Sequence, residues 1–201
     1  MEKIRKILIG THNKGKFKEI SCLLSKKIKK ISPIVLKIKS PKETGKNFKE
    51  NSILKANYFN KKTNLISLSD DSGLQVKCLN NRPGIYSARW AKKHGSFNKA
   101  MQKILVLVRK ENKLKKRKNR KATFVCCLSI KFLNKKIISV EGKINGILSE
   151  QIKGKNGFGY DSIFIPQGKK LTFGQMNKRK KMQIDHRYIA FKKLKKKIKI
   201  L

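Results

Sequence analysis

Ile7-Leu8-Ile9-Gly10-Thr11-His12-Asn13-Lys14-Gly15-Lys16 is the stretch that decides the fold. A short apolar run stops at a glycine. Polar residues follow, and then a segment in which Phe17, Ile20, Leu24 and Ile28 recur on one helical face. We read residues 4–10 as a strand and residues 14–28 as a helix. A strand–loop–helix unit offers backbone N–H groups at the helix N-terminus, where anions bind. Lys14 and Lys16 add charge, and Thr11 and Asn13 add hydrogen-bonding side chains, which suits a polyphosphate. The spacing is not that of a Walker A loop. Taken alone, the stretch also fits a plain capped β–α turn.

Working outward, residues 31–39 alternate and read as a second strand, and residues 46–60 as a helix after Gly45. Residues 64–69 form a short strand running into a double aspartate in a loop, and Val76–Leu79 another strand. Asn80-Asn81-Arg82-Pro83-Gly84 is a turn. Residues 97–110 are helical, with Phe97, Met101, Ile104, Leu105 and Val108 on one stripe, and 111–121 form a lysine-rich loop. Residues 122–132 and 136–144 make a hairpin around Asn134-Lys135. The glycine-rich loop 154–159 leads to a strand over 162–165. The chain closes with an amphipathic helix carrying Ile184, Tyr188, Phe191, Leu194 and Ile198. Strands and helices interleave without an internal repeat, so the class is α/β or mixed α+β, in one domain or one domain with two lobes.

The formal net charge is +42, from 53 Lys+Arg against 11 Asp+Glu. Arginine supplies only 8 of the basic residues, and the lysines are spread through every segment. A nucleic-acid-reading surface leans on arginine's bidentate fork, so this excess does not define one. No apolar run approaches the roughly 18 residues of a membrane span or the 7–15 of a secretory core. Cys22, Cys78, Cys126 and Cys127 show no metal-ligand spacing and read as packed thiols in a reducing compartment. We therefore expect a cytoplasmic protein with neither a membrane nor a specific nucleic-acid partner.

Against that charge, four aspartates stand out, two of them adjacent in Ser69-Asp70-Asp71-Ser72-Gly73-Leu74. Neighbouring carboxylates repel unless a cation or shared proton offsets them. Such a group can hold Mg²⁺ together with substrate phosphates and activate a water toward phosphorus. An Asx-turn after a strand is the alternative. A third aspartate lies in Gly157-Phe158-Gly159-Tyr160-Asp161, where a ring on a flexed loop can stack on a base. Lys181 and Asp185-His186-Arg187 add groups able to read carbonyl acceptors.

Six strings, in order from end to end, resemble one family. They are T-H-N-K-G-K-F-K-E at 11–19, E-T-G-K-N-F-K-E-N-S-I-L-K-A at 43–56 and L-S-D-D-S-G-L-Q-V at 68–76. R-P-G-I-Y-S-A-R-W at 82–90, G-F-G-Y-D-S-I-F-I-P at 157–166 and K-M-Q-I-D-H-R at 181–187 complete the set. The chain resembles the RdgB/HAM1-type inosine triphosphate pyrophosphatases, which remove non-canonical purine nucleoside triphosphates. The resemblance implies an elongated α/β fold with a central mixed sheet flanked by helices and a substrate cleft between two lobes. It also implies a homodimer, Mg²⁺ dependence, and hydrolysis of ITP, dITP or XTP to the monophosphate and pyrophosphate. Carried over by position, Thr11, His12, Asn13, Lys14, Gly15 and Lys16 would hold the phosphates. Asp71 would be general base and metal ligand. Ser72, Phe158, Gly159, Tyr160, Asp161, Lys181, His186 and Arg187 would contact the nucleotide, with Lys55 a further phosphate candidate.

The chain departs from the family where an acidic metal ligand usually precedes E-T-G, because Lys42 stands there. Either Glu43 or Asp70 would then take over part of the metal binding, or Asp71 and the substrate would hold the metal. Asp185 replaces a usual serine, Ser162 a usual proline, and an acid usual near Gly174-Gln175 is missing. Two other readings stay open: a basic nucleic-acid-binding protein, and a pyrophosphatase for modified pyrimidine nucleotides.

Overall fold

The computed structural model describes residues 4–116 and 118–198. Among the described residues, seven strands form one mixed sheet: β1 (Lys6–Ile9), β2 (Lys29–Ile31), β3 (Ser67–Val76), β4 (Arg82–Pro83), β5 (Lys121–Lys131), β6 (Ile137–Leu148) and β7 (Phe164–Pro166). Their order is β2-β1-β3-β5-β6-β7, with β4 beside β3. β1 runs parallel to β2 and β3, while β4 and β7 are antiparallel to β3 and β6. The helices are α1 (Lys14–Leu23), α2 (Phe48–Thr63), α3 (Ser87–Lys93), α4 (Phe97–Leu114), α5 (Lys178–Met182) and α6 (His186–Lys197). None of the described helices is long and apolar enough to cross a membrane.

The described residues divide into two compact units: 4–71, 126–142 and 186–198 in the first, 72–125 and 143–185 in the second. In the first, Ile7 and Ile9 of β1 pack with Ile20 of α1, Leu68 of β3, Leu128 of β5 and Leu194 of α6. Asn13 starts α1 by accepting from the Lys16 amide at 3.0 Å, a standard N-cap contact. Asn47 does the same for α2, and left-handed Asn64 (φ 50°) ends that helix. In the second unit, Ala100, Met101, Ile104, Leu105 and Val108 of α4 lie buried against Leu74, Phe124, Phe164 and Phe173. The stripe read from the sequence is therefore the face that packs.

Several elements differ from their sequence reading. The strand expected over 31–39 is only Lys29–Ile31, and 33–37 is a turn. Pro33 brings no N–H to a ladder, its carbonyl accepts from Ile38, and Lys37 turns left-handed (φ 53°). Helix α1 stops at Leu23 rather than Ile28. The double aspartate lies inside β3, not in a loop, because this strand continues to Val76 and is followed by a 3₁₀ turn over Lys77–Leu79. The expected strand over 162–165 starts later, after a 3₁₀ turn at Asp161–Ile163. Ile184 precedes α6 and joins the second unit's core, while Ile198 joins the first.

Candidate active site

The first unit carries a cluster of charge built on β3, α1 and α2. Successive residues of a strand point to opposite faces, so Asp70 and Asp71 are turned apart. Asp71 Oδ1 lies 3.2 Å from Lys55 Nζ, and Asp71 Oδ2 accepts from Asn51 Nδ2 at 3.2 Å. Asn51 and Lys55 are four residues apart on one face of α2. Lys55 Nζ also meets Glu43 Oε1 at 2.6 Å, so one ammonium bridges two carboxylates. Asn51 Oδ1 in turn accepts from the Gly45 amide at 2.8 Å, which fixes the segment carrying Glu43. Lys42 is exposed and Glu43 half-buried, so Glu43 is the acid that this segment brings to Asp71.

Burial pushes the Asp71 carboxyl upward, Glu43 and Asp70 push the same way, and Lys55 and Lys16 only partly offset them. Lys55 is held charged: burial would lower it, but Asp71, Asp70 and Glu43 outweigh that. Among the described residues no three His, Cys, Asp or Glu side chains form a ready metal centre. Glu43 and Asp71, two hard oxygen donors already sharing one cation, nevertheless fit a magnesium ion, which takes one or two carboxylates and completes its shell with water and phosphate oxygens.

On the other face of β3, Asp70 Oδ2 sits 3.0 Å from Lys16 Nζ and 4.0 Å from Arg187 Nε. Burial alone would raise its pKa, yet Lys16, Lys55 and Arg187 hold it at about 2. Arg187 Nη1 also pairs with Glu19 Oε2. The loop before α1 packs closely: a Cβ on Gly10 would stand 2.1 Å from Ser69 Oγ and 2.6 Å from the Phe59 ring. Thr11 is buried and its hydroxyl accepts from the Asn13 amide at 3.2 Å. His12 Nε2 donates to the Ile38 carbonyl at 2.8 Å, which leaves Nδ1 to accept from the Ser40 hydroxyl at 2.5 Å. Lys14 is exposed, and Gly15 and Lys16 are half-buried.

The remaining residues singled out from the sequence are distributed between the units. His186 and Arg187 belong to the first and are buried; Ser72, Phe158–Asp161 and Lys181 belong to the second. There Lys181 Nζ meets Asp161 Oδ2 at 2.6 Å, with both side chains almost wholly buried. The same oxygen accepts from the Phe158 amide at 2.8 Å. The Lys181 ammonium lies 4.9 Å from the Phe158 ring centre. Gly157 (φ 78°) is required, since a Cβ would meet Asp161 Oδ2 at 2.1 Å. Tyr160 does not offer its ring: it is 2% exposed, its hydroxyl donates to the Ser87 carbonyl at 2.8 Å, and its ring meets Phe97 edge-on. Burial pushes its phenol upward. Phe158, half-buried, is the loop's accessible aromatic. Sequence reasoning missed Asn51 and Glu19 as site partners. For Asn51, the four-residue spacing from Lys55 on a helix was the available signal.

A groove of about 560 Å³ in the second unit contains none of these residues. It is lined by 13 residues, 3 of them lysine, which is no richer in cations than the 53 of 201 in the whole chain. Its charge therefore marks nothing beyond the chain's average.

The sequence profile of the Ham1 family matches residues 7–197. The chain is 40% identical over 199 residues to a dITP/XTP pyrophosphatase of Haemophilus influenzae, covering 96% of this chain and 99% of that one. It is 39% identical over 192 residues to the dITP/XTP pyrophosphatase of Caulobacter vibrioides, covering 94% and 96%. Among solved structures, a HAM1 protein from Coxiella burnetii superposes with a TM-score of 0.86 at 31% identity, over 98% of this chain and 100% of that one. The Staphylococcus aureus Ham1 protein gives 0.82 at 34% identity, over 96% and 98%. With likeness in sequence and in fold running the length of the molecule, the chain belongs to the Ham1 family.

Proposed function

We propose that this protein hydrolyses non-canonical purine nucleoside triphosphates (dITP, ITP and XTP) to the monophosphate and pyrophosphate, which keeps them out of DNA and RNA. The observation that carries this reading is the Glu43–Lys55–Asp71 cluster in a chain about two-fifths identical, end to end, to dITP/XTP pyrophosphatases. Thr11–Lys16 receive the phosphates: the first turn of α1 offers its amides, and Lys14 and Lys16 supply charge. Asp71 takes the proton of the attacking water at Oδ1 or Oδ2. Its upward shift moves a carboxylate toward the range in which a general base works best near neutrality. Lys55 stays charged and balances negative charge as it builds on the phosphates, usually the largest catalytic contribution. Magnesium, held by Asp71 and Glu43, would supply Lewis-acid polarisation of phosphate oxygens.

The purine is assigned to the second unit, where the half-buried Phe158 ring suits stacking beside the Asp161–Lys181 pair. Donors aimed at a 6-oxo oxygen are left unpaired by adenine's amino group, and an unpaired buried donor is costly. A homodimer and a cytoplasmic location belong to the same reading, and the four free cysteines suit a reducing compartment.

Pyrophosphate release from dITP, dATP, dUTP and dTTP with Mg²⁺ tests the reading. Turnover of dITP alone supports it. Turnover of the pyrimidine nucleotides instead assigns a different substrate, and no release with salt-steep binding to nucleic acid assigns a binding protein. Asp71→Asn should lower dITP turnover by roughly 10²–10⁴ while nucleotide still binds. Turnover like that of the wild type removes Asp71 from the base role.

A further inference from the structure

We propose that Asp70 is a positioning residue for the triphosphate: it anchors the Lys16 ammonium, and through it the first turn of α1, rather than serving as a second proton acceptor. The proposal rests on the phosphate role given above to Thr11–Lys16. The two adjacent aspartates are committed to different helices. Asp71 is held by Asn51 and Lys55 of α2. Asp70 is held by Lys16 of α1 at 3.0 Å, with Arg187 of α6 at 4.0 Å from the same oxygen. The Asp70 side chain has 0% exposure and that of Lys16 17%, so the carboxylate is sealed in while the lysine side chain is partly exposed.

Lys16 and Glu19 lie three residues apart, on one face of α1. Lys16 is tied to β3 through Asp70, and Glu19 is tied to α6 through Arg187. Two ion pairs therefore set the placement of the helix whose N-terminus receives the phosphates. A lysine on its four-carbon stem otherwise samples many rotamers, and ordering it costs free energy at the moment of binding. An ammonium has three N–H donors, so one given to Asp70 leaves donors for phosphate. The carboxylate also dampens the ammonium's attraction for anions, which makes placement, not added charge, its contribution.

A double-mutant cycle tests this. KM and kcat for dITP, and calorimetric binding of inorganic tripolyphosphate in EDTA, are measured for wild type, Asp70→Asn, Lys16→Met and the double variant. Asp70→Asn should raise KM and weaken tripolyphosphate binding about tenfold, with KM rising by more than kcat falls. In the Lys16→Met background the same change should have less than about a twofold effect. Equal effects in both backgrounds, no effect in either, or a loss of kcat as large as that of Asp71→Asn each overturn the proposal. If Asp70→Asn does not fold, Asp70→Glu, which keeps the charge but displaces it, runs the same cycle with the same expected pattern. An absence of wild-type dITP turnover defeats the proposed reaction alone, because the tripolyphosphate arm still decides whether Asp70 acts through Lys16.

Discussion

Asp70→Asn should make the protein less stable at neutral pH in a way that acid erases. Burial favours the neutral form of Asp70, yet Lys16, Lys55 and Arg187 hold its pKa at about 2, against 3.8 for an unperturbed group. The unfolded chain therefore binds this proton more tightly than the folded one, and the stabilisation is present above the unfolded pKa and lost as pH falls toward the folded one. At ~1.4 kcal/mol per unit, the difference contributes roughly 2–3 kcal/mol. Asparagine keeps the size and removes the charge. Urea unfolding followed from about pH 7 to about pH 2 gives the difference between wild type and variant, in which the other carboxylates cancel. The gap should be roughly 2–3 kcal/mol at neutrality, narrow below about pH 4 and close near pH 2. A gap that stays constant over this range, or none at neutrality, refutes the electrostatic account of Asp70.

Two further outcomes follow from the packing. Lys181→Met leaves the Asp161 carboxylate buried without the ammonium 2.6 Å away and should cost about 3–5 kcal/mol in chemical unfolding. Adding Asp161→Asn should restore much of that, and an additive loss would contradict it. Gly10→Ala drives a methyl to within 2.6 Å of the buried Phe59 ring and should cost about 1–3 kcal/mol in thermal unfolding. The shift of the adjacent loop should also raise KM for the triphosphate, and an unchanged KM with a lowered melting temperature would confine the effect to packing.

Much of the fold was legible because the signals were local. The α4 stripe, the hairpin around Asn134-Lys135 and the turn after β1 each rest on neighbouring residues, and each folds as its periodicity or turn chemistry predicts. The failures share a cause. Residues 31–39 alternate as a strand does, yet Val35 is 76% exposed and Ile34 47%, so this alternation has no buried face to satisfy. Asp70 and Asp71 look like loop residues by composition. They lie in a strand because lysines distant in sequence neutralise them, and propensity does not register such partners.

The sequence by itself determined that strands and helices interleave and that the whole chain resembles one family, and it named scarce acids and glycine-bounded loops as candidates for the chemistry. These conclusions depend on residue order and composition alone. Only the tertiary structure decided that Asp71 and Asp70 serve different helices, that Glu43 rather than Lys42 joins Asp71, and that Tyr160 is core while Phe158 is accessible. Those assignments turn on which charges meet at 2.6 to 3.2 Å across long stretches of chain, and on which rings burial removes from water. Electrostatic attraction and burial act through space, so a linear pattern names the candidates while the packed fold selects their partners.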